Sequence, residues 1–239
     1  MEISSARSSR CASLNGVLGS TEFALAELRR LGESSRAAGM QAYLKTDMAF
    51  FGVSSADRKT ITRRLKSELA PLSNGEYRAQ ISELWEQPWR ETRYLAIAIA
   101  RAHPLFVTLE NLDLFEQMIR AGAWWDLVDE IAAHLIGRLV LDQREAMRPV
   151  LEAWIDDPDM WIRRTAILAQ LRHKQQTDTA QLFDFCLRRA DEPEFFIRKA
   201  IGWALRQYAH TDPGAVRAFL AEHGDELSGL SRREASKHL

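Results

Sequence analysis

Cysteine is nearly absent from this chain: there are two in 239 residues, Cys11 and Cys186. They stand far apart and show no metal spacing, so neither a disulfide framework nor a thiolate metal site is expected, and a reducing cytoplasm is the expected compartment. Long apolar runs are missing too. The longest clean one, "YLAIAIA" at 94–100, falls well short of the roughly 18 residues that a membrane-spanning helix needs. The six histidines form no HExxH and sit with no cysteine, which excludes the common zinc patterns. There is no GxGxxG, no P-loop and no GxSxG elbow, so nothing points to dinucleotide, nucleotide triphosphate or serine-hydrolase chemistry. A net charge of −1 gives no support to nucleic-acid binding by itself. Alternating strand patterns are absent as well; Asn74-Gly75 joins two helical segments rather than two β-rich ones. The N-terminus, "MEISSARSSRCASLNG", is Ser-rich without an apolar core, so residues 1–17 read as a loosely docked or poorly ordered leader and not as a secretory signal.

What is there is helical periodicity almost throughout. "STEFALAELRRLG" carries a cap at Ser20 or Thr21, early acids, late arginines and Gly32 as a stop. "SADRKTITRRLKSEL" is expected to start at Ser55 as its N-cap. "EYRAQISELWEQ" runs into Pro88, and "WRETRYLAIAIARAH" stops before Pro104. "NLDLFEQMIRAG" and "RAGAWWDLVDEIAAHLIG" (120–137) follow, with further helices expected near 142–155, 158–172, 177–190, 193–209, 213–223 and 230–238. The fold class is therefore all-α.

A repeat runs through these helices. "PDMWIRRTAIL" from Pro158 aligns without gaps on "PEFFIRKAIGW" from Pro193, a period of 35 residues. Trp161 matches Phe196, Arg163 matches Arg198 and Arg164 matches Lys199; one period before Arg164 stands Asp129. A period near this length with two helices per unit marks an α-solenoid, and the Pro-then-basic helix start fits HEAT-like repeats better than TPR. The architecture expected is a curved superhelix of HEAT-like repeats over residues 18–239, with a concave inner face. Stacked repeats set equivalent positions side by side, so Asp129, Arg164 and Lys199 are expected in one row. Trp125 lies one turn before Asp129, and Trp203 one turn after Lys199.

On the helix at 120–137, Trp124, Leu127, Val128, Ile131 and Leu135 share the core side, and Trp125 with Asp129 lies about 100° or more away from it. Periodicity alone leaves two readings open. Trp125 covers a neighbouring repeat and Asp129 forms a structural ion pair with Arg164, or the three converge on a site. The charges are also segregated. "RKTITRRLK" (58–66), "WIRRTAILAQLRHK" and "SRREASK", with Arg232 and Arg233, are basic, whereas 110–130 is acidic. Such segregation suits a groove that holds a polyanion, or simply solvated helix faces.

Taken in order, "YLKTDMAFFGV", "ELWEQPWRE", "WWDLVD", "WIRRTAIL", "FFIRKAIGWALRQYA" and "LSRREA" resemble the HEAT-like-repeat DNA alkylation repair glycosylases of the AlkD type, from about residue 40 to the C-terminus. The resemblance implies an enzyme of base excision repair that hydrolyses the N-glycosidic bond of positively charged N-alkylated purines, such as 3-methyladenine and 7-methylguanine, in duplex DNA. It implies Asp129 as the catalytic carboxylate and Trp125, Trp203 and Tyr43 as lesion-site aromatics. It implies contacts to the DNA backbone from Arg164, with Lys199, Arg163, Arg198, Arg232 and Arg233 as further candidates. No cofactor and no metal are expected, and the chain is expected to act as a monomer on double-stranded DNA, cytoplasmic or nucleoid-associated, without flipping the base. One carboxylate suffices for such a substrate, because a cationic base leaves without needing a proton, whereas an ordinary glycosidase needs two carboxyl groups. Two other functions stay open: a non-catalytic DNA-structure binder on the same fold, and a protein–protein scaffold.

Overall fold

A computed structural model describes residues 19–68, 70–71 and 73–239; the leader at 1–17 and Cys11 lie outside the described residues. Among the described residues no strand forms beyond an isolated bridge between Ala49 and Trp89, and the protein is all-α. No helix of the described residues is long and apolar enough to cross a membrane. Contacts group the chain into two compact units that part between Val107 and Thr108.

The first unit holds α1 (19–31), α2 (Ser34–Leu44), α3 (Ser55–Glu68), α4 (Asn74–Glu86) and α5 (Arg90–Ala102). Helix α1 already includes Ser20 and Thr21, so neither is its cap; both are buried, and the Thr21 hydroxyl donates to Glu83 at 3.3 Å. Helix α3 is capped by Ser54, not Ser55. The Ser54 hydroxyl accepts from the Asp57 amide at 3.1 Å and donates to the Asp57 carboxylate at 2.6 Å. The core is built by Leu28, Leu44, Val53, Ile61, Leu65, Tyr77, Ile81 and Leu95. The "AFFGV" stretch is structural. Phe50 is buried, Phe51 stacks on Trp89 with centroids 4.0 Å apart, and the turn passes through Gly52 at φ +82°. The fully buried Glu91 accepts from the amides of Phe51, Gly52 and Val53 at 2.8–3.1 Å. A Cβ at position 52 would stand 2.1 Å from the Glu33 carbonyl oxygen, so only glycine fits.

The second unit runs from α6 (Leu112–Gly122) to α14 (Gly229–Ala235). The helix expected over 120–137 is broken: Ala123 takes a left-handed φ of 34°, ends α6, and leaves Trp124 as the cap of α7 (Trp125–Ile131). Helix α7 then widens into a π-helical turn, Ala132–Ile136, and continues as α8 (Gly137–Asp142). Next come α9 (Arg144–Trp154), α10 (Met160–Leu168), α11 (Thr179–Arg188), α12 (Phe195–Ala209) and α13 (Pro213–His223). Asp159, Asp178, Asp212 and Ser228 cap α10, α11, α13 and α14 through their side chains.

Residues 35 apart meet side by side in this unit. Arg164 pairs with Asp129, Trp161 packs on Phe196 with centroids 5.0 Å apart, and Lys199 pairs with Glu234 at 3.1 Å. Trp124 closes an aromatic cluster with Trp161 and Phe196 at 6.0 and 5.5 Å; each such pair adds about 0.5–1.5 kcal/mol beyond burial. The predicted core side of the 120–137 stretch holds for Leu127, Val128, Ile131 and Leu135, all fully buried.

Candidate functional site

Asp129 sits in the last turn of α7, between the buried stripe of that helix and solvent. Its side chain is 14% exposed and meets Arg164, which is 5% exposed, in a two-pronged ion pair: Nε to Oδ1 at 2.7 Å and the terminal nitrogen to Oδ2 at 2.8 Å. Planar guanidinium against planar carboxylate is the strongest pairing such groups make. Arg164 also donates to the Phe196 carbonyl and lies near that ring, 5.8 Å from its centroid. Burial pushes the Asp129 carboxyl above the ordinary aspartate range; Arg164 pulls it back down, while Asp126 adds to the rise. A carboxylate has about four lone-pair sites, and Arg164 takes two, which leaves the others for a water or a cationic group.

The open side of Asp129 faces a cleft of about 260 Å³ lined by Asp129, Glu130, Ala133, His134, Leu171, Arg172, Lys174, Trp203 and Gln207. Three elements build it. Helix α7 and its π-helical turn supply the acids and His134, the turn after α10 supplies Arg172 and Lys174, and α12 supplies Trp203 and Gln207. The walls are held close by Gly137, where a Cβ would stand 2.6 Å from the Ala169 carbonyl oxygen. The buried His173 locks the same approach, donating from Nε2 to the Gly137 carbonyl at 2.8 Å. Lys174 holds a left-handed φ of 52°, an arrangement that costs a side-chain-bearing residue about 1–2 kcal/mol. Arg172 and Lys174 are both exposed and have no ion-pair partner among the described residues. Those residues also contain no group of three or more His, Cys, Asp or Glu side chains able to hold a metal.

The structure thus joins Asp129, Arg164 and Trp203 of the expected site. Trp125, half-buried at the start of α7, lies outside the lining of the cleft. Tyr43 belongs to the first unit, at the end of α2, and is 73% exposed. The expected backbone-binding cations lie in different settings. Arg164 is buried with its donors turned to Asp129 and Phe196, so it braces the carboxylate and presents no charge at the surface. Arg163 is buried as well, paired with Glu192 at 2.8 Å and donating to the carbonyls of Asp157 and Pro158. Lys199 pairs at 3.1 Å with Glu234, a carboxylate it shares with Arg206 and Lys237, and Arg232 pairs with Asp225 at 3.0 Å. Arg198 is half-buried; Arg233 stays exposed with no ion-pair partner among the described residues. Sequence reasoning missed Glu130, His134, Arg172, Lys174 and Gln207 as cleft residues. The basic character of "WIRRTAILAQLRHK" was visible, but α10 ends at Leu168, and the turn beyond it swings Arg172 and Lys174 to the cleft.

The profile of the family described as DNA alkylation repair enzyme matches residues 24–239. The chain belongs to the DNA alkylation repair enzyme family. A solved structure described as a predicted DNA alkylation repair enzyme from Enterococcus faecalis superimposes with a TM-score of 0.81 at 30% identity, covering 87% of this chain and 96% of that one. No curated protein matches the chain. For a member of this family, the paired Asp129 beside Trp203 is the feature of the cleft best suited to chemistry.

Proposed function

We propose that this family member is a DNA glycosylase that excises positively charged N-alkylated purines from duplex DNA by hydrolysis. The observation that carries this reading is Asp129. A carboxylate withdrawn from solvent, oriented by Arg164 and open on one side to a cleft, is suited to stabilising a cation that forms in front of it. In the reaction, the bond between the sugar C1′ and the purine nitrogen breaks, and its electron pair discharges the alkylated base. The sugar becomes an oxocarbenium ion facing Asp129, water adds to C1′, and a proton is released. No general acid is needed, because the leaving group is already activated. Trp203 offers the ring face and apolar wall suited to a cationic lesion and deoxyribose, and Trp125, one turn from Asp129, is a second candidate by resemblance. Arg172 and Lys174, in the lining of the same cleft, are the cations suited to the phosphates flanking the lesion. The cleft is an open trough rather than a closed purine pocket, which favours action without extruding the base.

The test is incubation with duplex DNA carrying 7-methylguanine and detection of the released base, with Asp129→Asn alongside. Asp129→Asn is expected to slow release by about 10²-fold or more while duplex binding persists. Wild-type rates in that variant would refute the role of Asp129. Salt-sensitive duplex binding without base release by the wild type would identify a non-catalytic DNA binder instead.

A further inference from the structure

Helix α3 turns a face of one charge sign to solvent. Its buried side is Ile61 and Leu65. At about 100° per residue, Lys59, Arg63 and Lys66 point the opposite way, within about 60° of one another. All three are exposed and have no ion-pair partner among the described residues. The acids of the helix lie on another flank, the one that carries Arg64. There Asp57 bonds with Ser54, Glu68 pairs with Arg64 at 3.2 Å, and the Arg64 guanidinium lies 4.4 Å from the ring centroid of Phe23 in α1. Besides its cations, the outward half of α3 holds only Ser55, Ala56, Thr60 and Ser67, all exposed.

This row is not an ordinary solvated face. Lys59 and Arg63 are four residues apart and Arg63 and Lys66 three apart, so like charges stand one turn from each other, which weakens a helix. Other exposed arginines of the chain find an acid at that spacing: Glu27 for Arg30, Glu33 for Arg36, Glu68 for Arg64 and Asp142 for Arg138. Nothing among the described residues offsets the repulsion on α3; a polyanion laid on the face would. The row rises about 10 Å along the helix. Laid along a duplex, that length spans about three phosphates of one strand. The face has no aromatic ring on which single-stranded bases could stack and no large apolar side chain to enter a bilayer. In a member of the DNA alkylation repair enzyme family, the polyanion that fits is duplex DNA.

We propose that the outward face of α3 is a contact surface for the phosphate backbone of duplex DNA, through Lys59, Arg63 and Lys66. It carries no group that reads a base edge, so it holds damaged and undamaged duplex alike and sets affinity, not the rate of base release. This rests on the DNA-binding part of the reading above and not on hydrolysis.

The experiment measures binding of undamaged and 7-methylguanine-bearing duplex by fluorescence anisotropy between 50 and 200 mM salt. It compares wild type, Lys59→Gln/Arg63→Gln/Lys66→Gln, and a charge-matched control, Arg30→Gln/Arg36→Gln/Arg138→Gln. Melting temperatures confirm that the variants fold. The α3 variant is expected to lose about 2.7 from the slope of log affinity against log salt, and on the order of 10²-fold in affinity at 0.15 M salt, equally on both duplexes. The control is expected to keep the wild-type slope. Single-turnover release of 7-methylguanine, at enzyme concentrations that saturate each protein, is expected to be the same in the α3 variant as in wild type. An unchanged slope in the α3 variant, an equal loss in the control, or a slower saturated rate in the α3 variant would overturn the proposal and leave the glycosylase reading standing. If wild type binds duplex with the expected difference between variants but releases no base, the α3 surface stands and the glycosylase reading falls. If wild type binds no duplex, both fall.

Discussion

Removing the guanidinium of Arg164 while keeping its bulk, as in Arg164→Met, leaves the Asp129 carboxylate 14% exposed and without its cation. Two charge-assisted hydrogen bonds, at 2.7 and 2.8 Å, are lost together with the bond to the Phe196 carbonyl. Breaking a buried ion pair from one side costs about 3–5 kcal/mol, because a buried charge is left uncompensated. For a protein of this length, that corresponds to a drop in Tm of roughly 6–20 °C. The sign of the pH dependence follows from Asp129. Burial already raises its folded pKa above the usual value, and only Arg164 opposes it strongly. Without Arg164 the folded pKa rises further. A carboxyl whose folded pKa exceeds its unfolded value stabilises most when protonated, so the deficit of Arg164→Met is smaller at pH 5 than at pH 8. The double variant Asp129→Asn/Arg164→Met removes the buried charge; it is expected to recover most of the lost Tm and the excess pH dependence. Thermal melts of the four proteins at the two pH values complete the cycle. A single-variant drop below about 2 °C, equal at both pH values, would show that solvent reaches the pair and that Asp129 is not a withdrawn carboxylate.

Two further outcomes are expected. Arg172→Ala/Lys174→Ala should reduce the slope of log affinity for duplex DNA against log salt by about 1.8, measured by fluorescence anisotropy; an unchanged slope would remove both from the phosphate contacts. Glu234, 9% exposed, is pulled down to a pKa of about 2 by Lys237 and Lys199, and it also pairs with Arg206 at 2.7 Å. A depressed carboxyl stabilises above its unfolded pKa and loses that stability as pH falls through the folded one. Glu234→Gln should therefore lower Tm at neutral pH, by the equivalent of about 1–3 kcal/mol given the half-exposed lysines, and should lack the wild-type decline between pH 4.5 and 2. Parallel acid profiles in the two proteins would contradict this.

The helices were legible because apolar side chains recur at helical spacing over nearly the whole chain, and the 35-residue period set Asp129 in one row with Arg164, where the two form an ion pair. Legibility ended where the backbone departs from uniform helix. Ala123 breaks the 120–137 stretch directly after Gly122; the glycine is a helix-end signal, but no residue type announces a left-handed alanine. The same limit hid His134, which reaches the cleft through a π-helical turn, and Lys174, which reaches it from a left-handed position beyond α10. A run of arginines shows its charge but not its direction. Arg163 and Arg164 look like surface cations, yet α10 is buried along most of its length and their partners lie 29 and 35 residues away.

The widened turn at 132–136 also makes α7 and α8 parts of one rod with separate phases. Deleting a single residue there would let the rod close into uniform α-helix and swing everything downstream by about 100°. Gly137 would leave its seat against Ala169, and the fully buried Leu139 would turn out of the core, while Asp129 kept its place. One inserted residue thus reconciles a front half aimed at the trough with a back half aimed at the interior, and a family member lacking it would have to rebuild one or the other.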